Sequence, residues 1–271
     1  YWVTYPELVT YSGGKNVFIE TTQENNFKIT PKQLKAAITP KTKMLVLTTP
    51  SNPPGMVYSK SELESIAELL KNTNIWVISD EIYEKLVYDG DFTSCGSISQ
   101  DMLERTITIN GLSKAVAMTG WRMGYLATKD KKLRQLIINL QSQCISNINS
   151  ITQKASIPAL DGRAEAEILK MQKAFKERRD IACKLFNEIE GLNVGIPDGA
   201  FYLFVNCSTI NPDSMAFSKA LLEKEGVAVV PGIGFGMDGY FRFSFATDLQ
   251  SIKAGIQRIS NFCKANKPKQ D

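Results

Sequence analysis

Short apolar runs alternate with helical patterns over the first 130 residues or so. Four of the runs are predicted as buried strands: residues 43–49, 74–79, 106–110 and 124–128, the first of them continuous and rich in β-branched residues. Between the first two, Ser59 to Lys71 has helical spacing, with Ser59 as the predicted N-cap and Glu62 as its capping-box partner. Strand, helix and strand in this order predict βαβ units and a largely parallel sheet.

The pattern changes in the second half of the chain. Helical patterns cover residues 131–144 and 164–190, and the second ends at Gly191. Shorter elements follow: strands at 200–206, 227–230 and 240–245, and helices at 214–225 and 249–263. We therefore predict an α/β protein with a mostly parallel sheet in a large domain, residues 1–160, and a smaller α+β domain, residues 161–271.

Composition narrows the chemistry. The chain contains no histidine, which excludes a Ser/His/Asp triad, a Cys/His dyad and a metal held by histidine. The five cysteines are widely spaced without a CxxC pair. This favours neither a disulfide framework nor a zinc site, so we expect no metal and a reducing, cytoplasmic environment.

Charge and hydropathy give expectations about partners. The net charge is +4, and the densest basic stretches, residues 129–134 and 173–179, have helical spacing. Solvated helix faces explain such stretches better than a nucleic-acid surface does, so no nucleic-acid partner is expected. No apolar run approaches the length that spans a bilayer, and no membrane association is expected.

Polar side chains follow several of the predicted strands. Asn52, Asp80, Tyr83 and the segment 111–114 stand after three different apolar runs. In open α/β sheets, ligands bind beyond the carboxyl ends of the strands. We therefore expect these residues to meet in one crevice.

Four sequence motifs carry a family resemblance. The central one is Gly111-Leu112-Ser113-Lys114 continued by Ala117-Met118-Thr119-Gly120-Trp121-Arg122-Met123-Gly124, and the others are Asn52-Pro53-Pro54-Gly55, Asp80-Glu81-Ile82-Tyr83 and Phe241-Arg242-Phe243-Ser244. Their order and spacing resemble the class I aminotransferases that depend on pyridoxal 5'-phosphate, and the bacterial aspartate aminotransferase branch in particular. The resemblance implies the type I fold of these transferases, a homodimer, and amino acid and 2-oxo acid substrates.

The resemblance assigns Lys114 the catalytic role, as the residue that forms a Schiff base with the cofactor and then moves a proton. A lysine can do this when burial and neighbouring cations lower its pKa. Asp80 would lie against the pyridine nitrogen, while Tyr83 and Asn52 would bind the phenolic oxygen. The family pattern also implies a cis peptide bond before Pro53.

Three further residues receive binding roles from the same resemblance. Arg122 would bind the cofactor phosphate, Trp2 would stack on the cofactor ring, and Arg242, together with Asn52, would bind the substrate α-carboxylate. The alternatives are a surface ion pair for Arg122, a core position for Trp2 and a structural salt bridge for Arg242.

The chain departs from the family pattern in three places. Gly111 replaces a frequent serine and removes one phosphate hydroxyl, and Pro54 replaces a frequent threonine in a turn that should accept it. The family's N-terminal stretch, with a glycine-rich phosphate turn and much of the side-chain specificity, is not among these residues, so we expect the large domain to be incomplete.

The predicted function is amino transfer between aspartate and 2-oxoglutarate. An aromatic amino acid or prephenate aminotransferase is the alternative within the class. A cofactor-binding sensor domain of a transcription regulator is the alternative outside it, and elimination or decarboxylation on the same scaffold is a third.

Overall fold

The computed structural model describes residues 1–266. The helices there are α1 Thr4–Tyr11, α2 Pro31–Ala37, α3 Lys60–Leu70, α4 Gln100–Arg105, α5 Leu112–Ala115, α6 Lys131–Cys144, α7 Ser150–Leu160, α8 Glu165–Asn187, α9 Ser214–Glu225 and α10 Leu249–Ala265. The strands are β1 Met44–Thr48, β2 Trp76–Asp80, β3 Thr106–Gly111, β4 Gly124–Ala127, β5 Tyr202–Asn206, β6 Val230–Pro231 and β7 Tyr240–Ser244.

The first sheet has the order β1-β2-β3-β4. Its first three strands are parallel, with Thr48 beside Asp80 and Asp80 beside Ile109. The fourth strand differs from the prediction in two ways, because β4 runs antiparallel to β3 and all four of its residues are exposed. Twelve residues, which hold the short helix α5 and one 3-10 turn at Thr119–Trp121, join β3 to β4. So short a connection suits an antiparallel return better than a helical crossover.

The second sheet is antiparallel, with β7 between β5 and β6. Its apolar face packs with α8 and α10 around a core that includes Phe186, Phe241 and Ile256. Tyr83, Leu86 and other residues that follow β2 also belong to this core. A separate core lies between the first sheet and α3.

Several predicted elements are confirmed in detail. Helices α6 and α9 have the predicted bounds, and Ser59 caps α3 in a capping box with Glu62. Helices α1, α2, α4 and α7 were not predicted, and the strand predicted at 227–230 is reduced to β6. In α7 the buried residues are Thr152 and Ser156, so the burial of this helix follows no apolar period.

The expected boundary near residue 160 lies between the end of α7 and the start of α8. The division into two domains stays a prediction, and the residues 267–271 that it assigns to the second domain lie outside the described residues. Within residues 1–266, no helix combines the length and the apolar character that crossing a bilayer requires.

Candidate active site

The turn after β1 places Asn52. It contains the cis peptide bond expected between Asn52 and Pro53, and Pro54 fits the turn as predicted. Gly55 has a φ of +74°, and a Cβ there would lie 2.5 Å from the Gly199 carbonyl oxygen. The backbone amide of Gly199 donates to the Gly55 carbonyl at 2.8 Å. This close approach of two backbones holds the buried Asn52 opposite β7.

Asp80 ends β2, and its carboxylate is well surrounded. The Tyr5 hydroxyl of α1 donates to Oδ2 at 2.6 Å, and the Ile82 backbone amide donates to Oδ1 at 3.3 Å. Burial raises the pKa of Asp80, although both donors favour the ionised form. A cation placed against this carboxylate would therefore relieve a desolvation penalty.

Tyr83 lies one turn beyond Asp80 and is buried. Its hydroxyl donates to the hydroxyl of Tyr202 at 3.2 Å, and the two rings pack edge to face. Burial raises the pKa of Tyr83 above its usual range, and the positive charge of Arg242 opposes that shift. Tyr83 is thus a neutral hydrogen-bond donor at neutral pH.

Lys114 lies in α5, immediately after β3, and is half-buried. Its ammonium nitrogen lies 5.5 Å from the centre of the Phe201 ring. Burial lowers the pKa of Lys114, and the charges of Arg242 and Arg122 lower it further. Gly111, at the end of β3, pairs with Gly124, and a Cβ on Gly111 would lie 3.0 Å from the Met123 carbonyl oxygen. Little room is left for the serine that the family often has there.

Arg242 lies in the middle of β7. Its guanidinium donates to Asn52 Oδ1 at 2.9 Å and lies 4.3 Å from the ring centre of Tyr202. The rings of Phe235 and Trp2 lie farther away, at 5.1 and 6.0 Å. Burial lowers the pKa of Arg242. Among the described residues no carboxylate forms a salt bridge with it, so the structural ion pair considered above is not formed there.

Arg122 and Trp2 lie at the exposed side of the site. Arg122 has a φ of +56°, which is rare for a residue with a side chain, and its guanidinium donates to the Thr119 carbonyl oxygen at 2.8 Å. Trp2 precedes α1 and is 37% exposed. One face of each side chain is therefore accessible to a ligand.

The interactions described above join all seven predicted site residues. Arg242 bonds Asn52 and lies near the Trp2 ring. Its charge lowers the pKa values of Lys114 and Tyr83, and the charge of Arg122 also lowers that of Lys114. The charge of Asp80 acts on Tyr83. Residues from 2 to 242 of the chain thus form one group at the carboxyl ends of the parallel strands.

Three residues of this group were not predicted from the sequence: Tyr5, Phe201 and Tyr202. Tyr5 stands in the first turn of α1, three residues after Trp2, and this closeness in sequence was the available signal. Phe201 and Tyr202 read as ordinary strand residues, because aromatic residues are common in buried strands.

The donor set fits pyridoxal 5'-phosphate. It offers an amine of lowered pKa for the aldehyde, a partly buried carboxylate for the ring nitrogen, a phenol and an amide for the phenolic oxygen, and an exposed guanidinium for the phosphate. Each of these groups carries the charge or the hydrogen that the matching part of the cofactor requires.

Comparisons with known proteins agree with this chemistry. The family of class I and II aminotransferases matches residues 1–259. The chain is 44% identical to the aspartate aminotransferase of Bacillus subtilis, over 97% of this chain and 68% of that protein. It is 43% identical to a probable aspartate/prephenate aminotransferase of Rickettsia prowazekii, over 98% of this chain and 69% of that protein.

Solved structures extend the agreement to three dimensions. The aspartate aminotransferase of Thermus thermophilus with maleate has a TM-score of 0.91 at 38% identity, over 96% of this chain and 67% of that one. The aromatic aminotransferase of Pyrococcus horikoshii has a TM-score of 0.92 at 36% identity, over 97% of this chain and 71% of that one. The chain therefore belongs to the class I and II aminotransferases, the pyridoxal-phosphate-dependent transaminases of fold type I.

Proposed function

We propose that this protein transfers the amino group of aspartate to 2-oxoglutarate, with Lys114 as its catalytic residue. The observation that carries the proposal is the half-buried Lys114 amine beside Arg242, a cation that forms no salt bridge among the described residues. A buried cation without a carboxylate partner favours an anionic ligand. An amino acid presents such an anion close to the atom that must lose a proton.

Each site residue has a role in this proposal. When bound, the cofactor supplies a ring that accepts electrons from the substrate. Asp80 keeps the ring nitrogen protonated, and Tyr83 and Asn52 hold the phenolic oxygen. Arg122 binds the phosphate and Trp2 covers one face of the ring. These roles are supported by the hydrogen bond from Arg242 to Asn52, by the position of Arg242 near the Trp2 ring, and by the charges of Arg242, Arg122 and Asp80 that shift the pKa values of Lys114 and Tyr83.

Lys114 performs the proton transfer. Burial and two neighbouring guanidinium groups lower its pKa, so the neutral amine is reached at less cost than in an exposed lysine. The neutral amine can take a proton from the substrate Cα and would deliver it to the cofactor carbon that keeps the transferred nitrogen. The chain has no histidine that could do this instead.

The proposal is tested in the full-length protein by absorbance, borohydride reduction and peptide mapping after pyridoxal 5'-phosphate is added. A visible band and a reduced label on Lys114 are expected. Both should vanish in Lys114→Ala and persist in Lys129→Ala, a control at an exposed lysine. A label on another lysine, or a band that survives Lys114→Ala, would contradict the assignment.

Substrate choice is tested by kcat/KM with 2-oxoglutarate and different amino donors. The names of the relatives from Bacillus subtilis and Thermus thermophilus support aspartate, and the Rickettsia prowazekii relative supports activity towards prephenate as the second candidate. A kcat/KM for aspartate at least tenfold above those for aromatic donors is expected. The reverse order would favour the aromatic alternative.

Assembly and location belong to the same proposal. A homodimer is supported by apolar side chains that α6 and α7 expose, among them Leu140, Ile151 and Leu160. Sedimentation of the full-length protein would distinguish a dimer from a monomer. The five free cysteines are consistent with the cytoplasmic location expected from the sequence.

A further inference from the structure

Tyr202 connects the two ends of the candidate site. It is the first residue of β5 and is 7% exposed. Its ring lies 4.3 Å from the guanidinium carbon of Arg242, nearer than any other aromatic ring described beside that group. Its hydroxyl accepts the hydrogen of Tyr83 at 3.2 Å. A single side chain therefore contacts both the proposed carboxylate-binding and the proposed phenolic-oxygen-binding residues.

The two contacts use different parts of Tyr202. The face of the ring attracts the guanidinium, an interaction that strengthens where water is excluded. The hydroxyl can accept one hydrogen bond and donate another. Removing the hydroxyl alone therefore leaves the contact with Arg242, and this makes the two effects separable by experiment.

The hydrogen bond must rearrange when a ligand takes the hydrogen of Tyr83. If Tyr83 donates to the phenolic oxygen of the cofactor, its hydrogen no longer points at Tyr202. The Tyr202 hydroxyl can then donate to the oxygen of Tyr83, which gives a chain of two hydrogen bonds in the same direction. The hydrogen bonds in such a chain strengthen each other by polarisation, by about 10–30% per bond.

We propose that Tyr202 is a positioning residue, whose hydroxyl strengthens the hydrogen bond from Tyr83 to the cofactor and whose ring holds Arg242 towards the substrate carboxylate. The inference rests on the proposed function. It adds a residue that acts on the cofactor through Tyr83 and on the substrate through Arg242. The charged groups that act on Tyr83 are Arg242 and Asp80, and Arg242 and Arg122 act on Lys114.

The test is a pH titration of the visible absorbance of the cofactor bound at Lys114, in the full-length protein. A hydrogen bond donated to the phenolic oxygen stabilises the anionic form of that oxygen. Weakening the bond therefore raises the pKa at which the absorbance of the bound cofactor changes. Tyr202→Phe should raise this pKa by roughly 0.3 unit, and Tyr83→Phe should raise it further. Tyr240→Phe is the control, because it removes a different tyrosine hydroxyl of the same sheet, one that accepts from Asn206. This variant should leave the pKa of the bound cofactor unchanged.

Binding of a dicarboxylate without an amino group, such as maleate, gives the second readout. Tyr202→Phe keeps the ring, so the Kd of this variant for maleate should stay within about twofold of the value for the original protein. Tyr202→Leu removes the ring and should raise the Kd roughly tenfold. Circular dichroism and Tm confirm that each variant is folded.

The outcomes separate the hypotheses. A Tyr202→Phe titration equal to that of the original protein, together with a shifted Tyr83→Phe titration, would overturn the role of the Tyr202 hydroxyl. An unchanged maleate Kd in Tyr202→Leu would overturn the role of its ring. If neither tyrosine moved the titration while Lys114 still carried the label, the inference would fail and the proposed function would stand. If the original protein showed no visible band, both the inference about Tyr202 and the proposed function would be overturned.

Discussion

At the scale of the residue, Asp80 shows how a residue proposed to bind a ligand can lower the stability of the fold. Its carboxylate is partly buried, and the two groups that bond it, the Tyr5 hydroxyl and the Ile82 amide, are neutral. Burial raises its pKa, so folding disfavours the ionised form. The penalty is absent below the unfolded pKa of an aspartate and fully present above the folded pKa.

Asp80→Asn should therefore stabilise the protein without cofactor at pH 7. We expect the free energy of unfolding to rise by on the order of 1 kcal/mol, the usual size of a single-residue effect. The gain should vanish as the pH falls below about 4, because Asp80 is then neutral in both states. Urea unfolding at several pH values measures it, with Asp91→Asn at an exposed position as the control.

The same variant should bind pyridoxal 5'-phosphate poorly and lose most amino transfer, because an amide cannot keep the ring nitrogen protonated. Stability and function would then change in opposite directions, which is common at binding sites. If Asp80→Asn lowered the free energy of unfolding at pH 7, the ionised carboxylate would not destabilise the fold, and the prediction would be wrong.

Residue identity could be predicted from the sequence where a motif marks it. Lys114, Asp80, Tyr83, Asn52, Arg122 and Arg242 stand in such motifs, and the structure brings them together with Trp2. Tyr5 and Tyr202 could not be found in this way. Their roles depend on a hydroxyl 75 residues from Asp80 and another 119 residues from Tyr83, which only the folded chain makes close.

At the scale of the element, the turn of residues 52–55 is fixed by backbone contacts. Gly55 has a positive φ, and its Cα faces the Gly199 carbonyl oxygen and Pro197. The backbone amide of Val57 donates to Asp198 at 3.1 Å, which binds the same two segments a second time. The position of Asn52 thus depends on how closely two loops approach.

Gly55→Ala should be strongly destabilising. A Cβ at a positive φ costs about 1–2 kcal/mol, and the clash at 2.5 Å with the Gly199 oxygen forces the loops apart. We expect a total loss of about 3–4 kcal/mol in the free energy of unfolding. Gly90→Ala separates the two causes, since Gly90 has a φ of +91° but nothing within 4 Å of a Cβ.

Thermal and urea unfolding measure the loss of stability in Gly55→Ala and Gly90→Ala. Gly90→Ala should lose only about 1–2 kcal/mol. Equal losses in the two variants would mean that the loops separate easily and that their contact does not fix Asn52.

Elements could be predicted where burial follows an apolar period. Helices α6 and α9 and the capping box of α3 agree with the sequence pattern. Helix α7 does not show such a pattern, because Thr152 and Ser156 are buried while Ile151 is exposed. The reversed direction of β4 was also not predictable from hydrophobic pattern, since strands of either direction have the same period.

At the scale of the whole molecule, Arg179 supports the loop that faces the site. It is buried in α8, donates to the Pro197 carbonyl oxygen at 2.8 Å and bonds Asp89 at 2.7 Å. Its guanidinium also lies 5.0 Å from the ring centre of Tyr88. The loop of residues 197–200 is thus held by α8 on one side and meets Gly55 on the other.

Arg179→Met should destabilise the protein by about 3 kcal/mol, because it leaves the Pro197 carbonyl without this partner and removes a buried cation from the carboxylates of Asp89 and Asp180. The loss should also raise the KM for the amino donor, since the loop that faces Asn52 loosens. Arg178→Met is the matched control, because Arg178 is the next residue and packs on Phe175. A change in Tm as large in Arg178→Met would assign the effect to α8 in general.

The contact of Asn52 with Arg242 joins residues 190 positions apart, and Tyr83 meets Tyr202 across 119. Both pairs cross any junction placed between α7 and α8. For the engineer who recombines relatives there, the two parents need to agree in these two pairs and in the glycines at 55 and 199. A chimera can then inherit the proposed cofactor-binding residues from one parent and the proposed carboxylate-binding arginine from the other.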